Sequence, residues 1–182
     1  MVGMTSENSA HRIAVEWDDE EGVVKEGVFV PRRDTDSRLV ALAGGRIFPG
    51  MHHLSKFTVS DEDQQISMRV DTVDDARPLV DLKVRETNSF QEGSIFASLE
   101  ASSEFFEAGC IGYSSRSDGC MLDGLLLEVP EWQVSALTVD SVSSSYFDDE
   151  SVFPVGSIEF DHALLMRDID HEWHTEQSMK VV

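Results

Sequence analysis

Cysteine, lysine and long apolar runs are scarce in this chain, and each shortage closes off a class of explanation. The two cysteines, Cys110 and Cys120, are too few for the disulfide framework of a small secreted scaffold, so we expect two thiols in a reducing compartment. No apolar run approaches the roughly 18 residues that a membrane span needs. The opening MVGMTSENSAHR has no apolar stretch of the secretory-leader type. Together these features lead us to expect a soluble, cytoplasmic protein. Bases are short as well: ten Arg and only four Lys face 35 acids, for a formal net charge of −21. Nucleic acid and membrane headgroups are themselves anionic and would be repelled unless a basic patch intervened. The densest basic group is Arg32, Arg33 and Arg38, and Asp34 and Asp36 interleave with it. The charge pattern therefore argues against nucleic-acid and membrane partners. An acidic, lysine-poor surface suits a high-salt cytoplasm, where screening relieves self-repulsion.

What the chain does have is enough apolar material for one ordinary core. With 182 residues, 41% of them hydrophobic and ten Phe among them, it folds without needing a metal or a disulfide. No internal repeat, low-complexity tract or Pro/Gly-rich linker divides it. We expect a flexible start over residues 1–10, a single β domain over 11–174 and a tail over 175–182. Alternation over 11–17 and 23–31, around an acidic turn ending in Gly22, predicts a first hairpin. Asp36 or Ser37 is placed to cap a short helix over 38–43, which Gly44-Gly45 stops. Strands are predicted over 53–60, 65–73, 79–87, 110–114, 122–129, 133–146 and 157–167. Residues 94–107 read as a strand passing into a helix. Hairpin-length turns dominate and no strand–helix–strand rhythm appears. The fold class is thus mainly β (α+β by strict count), a curled, antiparallel, barrel-like sheet with two or three short helices.

Chemistry is densest at Gly44-Gly45-Arg46-Ile47-Phe48-Pro49-Gly50-Met51-His52-His53. Gly45, its glycine neighbours and Pro49 let the backbone turn sharply and approach a ligand. Arg46 is suited to clamp a carboxylate through two parallel hydrogen bonds. His52 or His53 could act as acid or base near neutral pH. If a strand starts here, the two rings point to opposite faces, and only one of them serves a given pocket. The alternative is a surface loop with two solvated imidazoles.

The run from Gly45 to Phe57 resembles a motif of the acetoacetate decarboxylase family: Gly-Arg-Glu, a few aromatic or small residues, then Pro-Lys-Lys. In that motif the Arg follows a short helix and the lysine pair opens a strand. Residues 26–31 look like the strand leading into that helix. The likeness follows element order over residues 11–173 and is specific around 45–57. It implies a cone-like antiparallel sheet around a central cavity, in a branch where His52 and His53 stand in place of the lysine pair. One family lysine forms a Schiff base with the substrate ketone while its neighbour lowers its pKa. Imidazole forms no such iminium, and Lys56 has no cationic neighbour in sequence. The resemblance therefore implies a cavity for an anionic, carboxylate-bearing small molecule, without Schiff-base decarboxylation.

Asp161 and His162 alternate on a predicted strand, so one faces inward, and Asp161 would then need a partner such as Arg46 or Arg167. His162, His171 and His174 make a weak alternative metal set without an established ligand spacing. No phosphate loop, nucleophile elbow or Cys–His pair is present, and no cofactor is implied. The leading expectation is a small-molecule-binding protein. The alternatives are an enzyme using His52 or His53 on a keto- or hydroxy-acid, and a ligand-free interaction module. Open sheet edges favour pairing of copies into a homo-oligomer.

Overall fold

A computed structural model describes residues 5–45, 49–73, 75–117 and 119–181. The described chain is mainly β. Its elements run β1 (Asn8–Asp18), β2 (Val24–Thr35), α1 (Arg38–Ala43), β3 (His52–Leu54), β4 (Lys56–Glu62), β5 (Gln65–Asp71) and β6 (Val80–Glu86). They continue as α2 (Leu99–Ala108), β7 (Ile111–Ser115), β8 (Met121–Glu128), β9 (Ser135–Ser143), β10 (Ala163–Leu165) and β11 (Glu172–Lys180). Two compact units share these elements. The first draws on Met1–Leu54, Glu104–Trp132 and Ile169–Val182, the second on Ser55–Ser103 and Gln133–Asp168. No described helix is long and apolar enough to cross a membrane.

The first unit holds a sheet in the order β1-β2-β7-β8-β11. The predicted hairpin is present, pairing Asn8↔Thr35 at one end and Asp18↔Val24 at the other. Its ladder slips once: His11 pairs with Arg32 and Ile13 with Phe29, leaving Val30 and Pro31 opposite the single Arg12. Proline has no N–H to give a ladder, so a bulge is where a strand accommodates it. Two short parallel strands share the other edge of β2. β7 pairs through Val28↔Gly112 and Phe29↔Tyr113, and β3 through Arg33↔His52, Asp34↔His53 and Thr35↔Leu54. The hydroxyl of Ser37 caps α1 by accepting from the Val40 amide at 3.3 Å. Val30 and Tyr113 are buried here, but so are His11, Asp34, Thr35 and Ser114.

The second unit holds an all-antiparallel sheet in the order β10-β9-β6-β5-β4. Its interior is conventional: Val70, Leu79, Val84, Ala136 and Leu137 are buried. Polar positions are occupied by ion pairs, Arg69 with Asp71 and Asp81, Arg85 with Asp140, and Arg167 with Asp61 and Glu86.

Four expectations need correction. Residues 8–10, assigned to a flexible start, are already strand, because their backbone pairs with residues 33–35. Residues 175–180, assigned to a tail, form most of β11, which completes the ladder along β8 from Glu172↔Glu128 to Lys180↔Met121. The predicted strand over 53–60 breaks at Ser55: β3 belongs to the first unit's sheet and β4 to the second's. Of residues 157–167 only Ala163–Leu165 is strand, since the chain before it turns to bond through Asp161.

Candidate functional site

Sheet register decides which side chains share a face, because directly paired residues and residues two apart on a strand project to the same side. Ala10, Arg33 and His52 form one row across β1, β2 and β3. Asn8 and Arg12 lie two positions either side of Ala10 on that face. All five line a pocket of about 510 Å3, together with Leu125, Val40 of α1, Pro49, His171 and Trp173. The volume is in the range of small-molecule sites. The other face carries His11 opposite Arg32, and Asp34 between Ser9 and His53. Asp34 also borders the pocket, but its carboxylate is held by Arg32, whose Nε and terminal nitrogen each donate to it at 2.9 Å.

The pocket is electropositive at close range. Arg33 donates from Nε and one terminal nitrogen to the Ser114 hydroxyl, both at 3.2 Å. Burial, and then the like charge of Arg12, lower its pKa to about 10, so it stays charged at neutral pH. Arg12 is reachable by solvent through the pocket mouth, yet the surrounding walls displace enough water to lower its pKa too, with Cys110 opposing. Of the nine described arginines, Arg32, Arg69, Arg77, Arg85, Arg116 and Arg167 pair with carboxylates. Arg12, Arg33 and Arg38 form no such ion pair among the described residues, and of these Arg12 and Arg33 line the pocket. In a chain with 35 acids, two arginines on one pocket without a carboxylate ion pair are chemically suited to an anionic group.

His52 adds a defined polar group. Its Nδ1 lies 3.2 Å from the Gly50 carbonyl oxygen. A carbonyl only accepts, so Nδ1 carries the proton and Nε2 of the neutral ring is an acceptor. Burial, reinforced by the charge of Arg33, lowers the His52 pKa, which favours that neutral form. Two glycines make the arrangement possible. A Cβ on Gly44 would stand 2.6 Å from Nδ1 of His52, and one on Gly50 would stand 2.9 Å from Cβ of Ser114 and 3.1 Å from Nε of Arg33. Gly50 also needs its φ of +78°, which side chains resist.

The pocket collects some of the expected residues and leaves others elsewhere. Pro49 and His52 line it, whereas His53 projects from the opposite face. Gly45, with φ +72°, turns the chain after α1 without lining the pocket. Arg46 lies outside the described residues. Lys56 starts β4 opposite Asp71, in the second unit's sheet. Asp161, also in the second unit, accepts from the Ser94 hydroxyl at 2.7 Å, the Ile95 amide at 3.0 Å and Nδ1 of His162. Ser94 first, then His162 and the Ile95 amide, hold its carboxyl below the usual range. Nε2 of His162 meets the Ser102 hydroxyl at 2.6 Å, between the edges of Phe90 and Phe96. The order of groups is that of a serine nucleophile, its base and an orienting acid, but Ser102 is fully buried on α2. The chain of bonds therefore acts as an internal pin.

The alternative metal set does not assemble. His171 meets the Trp173 ring edge-on, and His174 faces Glu128 at 3.0 Å and Glu172 at 3.7 Å. Among the described residues no group of three His, Cys, Asp or Glu is placed to hold a metal. Sequence reasoning missed Arg12 and Arg33. The predicted hairpin strand ended at residue 31, short of Arg33; only the pairing of β2 on to Thr35 sets Arg33 opposite Ala10, on the face of Arg12.

No protein-family model matches the chain, and no curated protein matches it. Among solved structures, acetoacetate decarboxylase from Legionella pneumophila superposes with a TM-score of 0.55 at 12% sequence identity, over 97% of this chain and 67% of that one. At that identity the likeness speaks for the fold alone. The chain has an acetoacetate decarboxylase-like fold.

Proposed function

We propose that the protein binds a small anionic molecule, of the carboxylate class, in the pocket of Arg12, Arg33 and His52, and that it is not a Schiff-base decarboxylase. One observation carries this reading: the guanidiniums of Arg12 and Arg33 face one pocket, and the described carboxylate on it, Asp34, is already taken by Arg32. Anchoring comes from both arginines, and Arg33 is preset by Ser114 and Gly50. His52 and His53 stand where the decarboxylase motif has its lysine pair, and among the described residues no lysine lines the pocket to form an iminium.

Native mass spectrometry of the purified protein tests the binding. An organic-acid-sized mass that leaves on denaturation, and is missing from Arg33→Gln, supports the reading. An equal adduct on Arg33→Gln places the ligand elsewhere and sinks it.

A second reading has its own support in the fixed tautomer of His52. A neutral imidazole presenting Nε2 as acceptor is equipped to take a proton from a bound hydroxy- or keto-acid. Turnover of such an acid that His52→Gln abolishes while binding persists would favour the enzyme over the binding protein.

A further inference from the structure

We infer that the occupant of this pocket is a small dianion that also carries a hydroxyl, its two negative charges meeting Arg12 and Arg33 and its O–H meeting His52. This deepens the anion-binding role proposed above and rests on it.

The charge count comes first. Arg12 and Arg33 line the same pocket and each is partly stripped of water. A monoanion would match only one of two like-charged guanidiniums on the same pocket, Arg33 half-buried and Arg12 exposed. A dianion matches both. The donors suffice, since Arg33 uses Nε and one terminal nitrogen on Ser114 and Arg12 has no hydrogen-bond partner among the described residues.

The hydroxyl follows from His52. With Nδ1–H given to the Gly50 carbonyl, the ring offers a lone pair and no proton. An anionic oxygen placed against it is repelled, whereas an O–H is accepted. The described carboxylate on the pocket does not change the count, because Asp34 is already bound to Arg32. Val40, Pro49 and Leu125 supply apolar wall for a short carbon skeleton. Both a hydroxy-dicarboxylate and hydrogen phosphate satisfy this description, two negative charges and one O–H.

Calorimetry at pH 7.5 and fixed ionic strength separates the elements of the inference with four probes: malate, inorganic phosphate, succinate and lactate. We expect malate or phosphate to bind about 10–100-fold more tightly than lactate, the effect of one added charge-assisted contact. The tighter of the two assigns the carboxylate or phosphate source. Succinate, lacking the hydroxyl, should bind roughly 3–10-fold more weakly than malate, and His52→Phe should erase that difference. Arg12→Gln and Arg33→Gln should each bring malate down to the affinity of lactate. Arg12→Gln, at the solvent-reachable side of the pocket, keeps the test open if Arg33→Gln fails to fold by circular dichroism. Lactate binding as tightly as malate and phosphate overturns the dianion while leaving the anion-binding role intact. Succinate equal to malate overturns the hydroxyl. No binding of any of the four overturns this inference together with the proposal beneath it.

Discussion

Arg32 and Arg33 are neighbours on β2, and the pleat sends them to opposite fates. Arg32 projects to the face of Asp34, which is fully buried, and grips its carboxylate with two parallel bonds. Arg33 projects to the face of Arg12, where burial and like charge lower its pKa to about 10. A folded-state value below the ordinary arginine range means that keeping the proton costs the folded state free energy at neutral pH. The cost disappears only as pH rises through about 10, where the folded form loses the proton before the unfolded one does. Arg32 is thus part of a compensated pair within the protein. Arg33 is a charge that the folded state keeps at a cost, as expected of the anion-binding group proposed for it. The residue type is the same; the face decides its role.

The largest expected effect falls on the Arg32 side. Asp34→Ala leaves Arg32 without its partner, and breaking such a pair costs about 3 kcal/mol, at the lower end of the usual range because Arg32 retains some water. Urea denaturation measures it. Arg33→Gln should leave stability level or raise it, since it removes a charge the folded state keeps at a cost, while removing anion binding. If both substitutions destabilise equally, Arg33 is structural and the contrast collapses.

Two glycines sharpen the same comparison at a smaller scale. Gly22 and Gly50 have nearly equal dihedrals, φ +77° and +78°. A Cβ on Gly22 meets nothing within 4 Å, whereas one on Gly50 presses on Ser114 and Arg33. Both alanine variants should lose about 1–2 kcal/mol to backbone strain alone. Only Gly50→Ala should also weaken the anion-induced rise in melting temperature, because it shifts the guanidinium that the hydroxyl of Ser114 holds. Equal loss of that response in Gly22→Ala would mean that general loosening, rather than the Arg33 contact, governs binding.

How much of this could be read from the sequence differed by region, for physical reasons. The first hairpin and the capped helix over Arg38–Ala43 were legible because their signals are local: alternation, an acidic turn, a serine cap and a glycine stop. β11 was not, since Glu172–Lys180 is mostly exposed and forms to satisfy the backbone of β8 rather than to bury a stripe. The break at Ser55 was equally hidden, because both halves of that run are good strands and only long-range pairing divides them. At the site, Pro49 and His52 sit on a glycine-rich segment that advertises itself. Arg12 and Arg33 sit mid-strand, where composition gives no hint of which face is sealed and which opens on a pocket. The slip at Pro31 settles how β1 and β2 register, and it is invisible without the partner strand.

The smallest expected effect is a pH slope that the two faces share. His11 and His52 both have lowered pKa values, each chiefly through burial; the charge of Arg33 adds to the effect at His52 and that of Arg32 at His11, with Asp34 opposing. Below the ordinary value of about 6.5 the unfolded chain binds protons that the folded chain still refuses, so stability falls as pH drops from 6.5 towards the folded values and is fully present above. The loss is bounded by about 1.4 kcal/mol per pH unit for each group. Denaturation midpoints between pH 7.5 and 5.5 should therefore decline, and His52→Asn should flatten part of the decline. The residual slope belongs to His11 on the Asp34 face. A dianion on Arg33 removes some of the positive charge that depresses His52, so saturating malate should flatten the wild-type slope as well and leave that of His52→Asn unchanged. If malate flattened both slopes alike, the ligand would be acting on the Arg32–Asp34 face, and the division of labour along β2 would have to be redrawn.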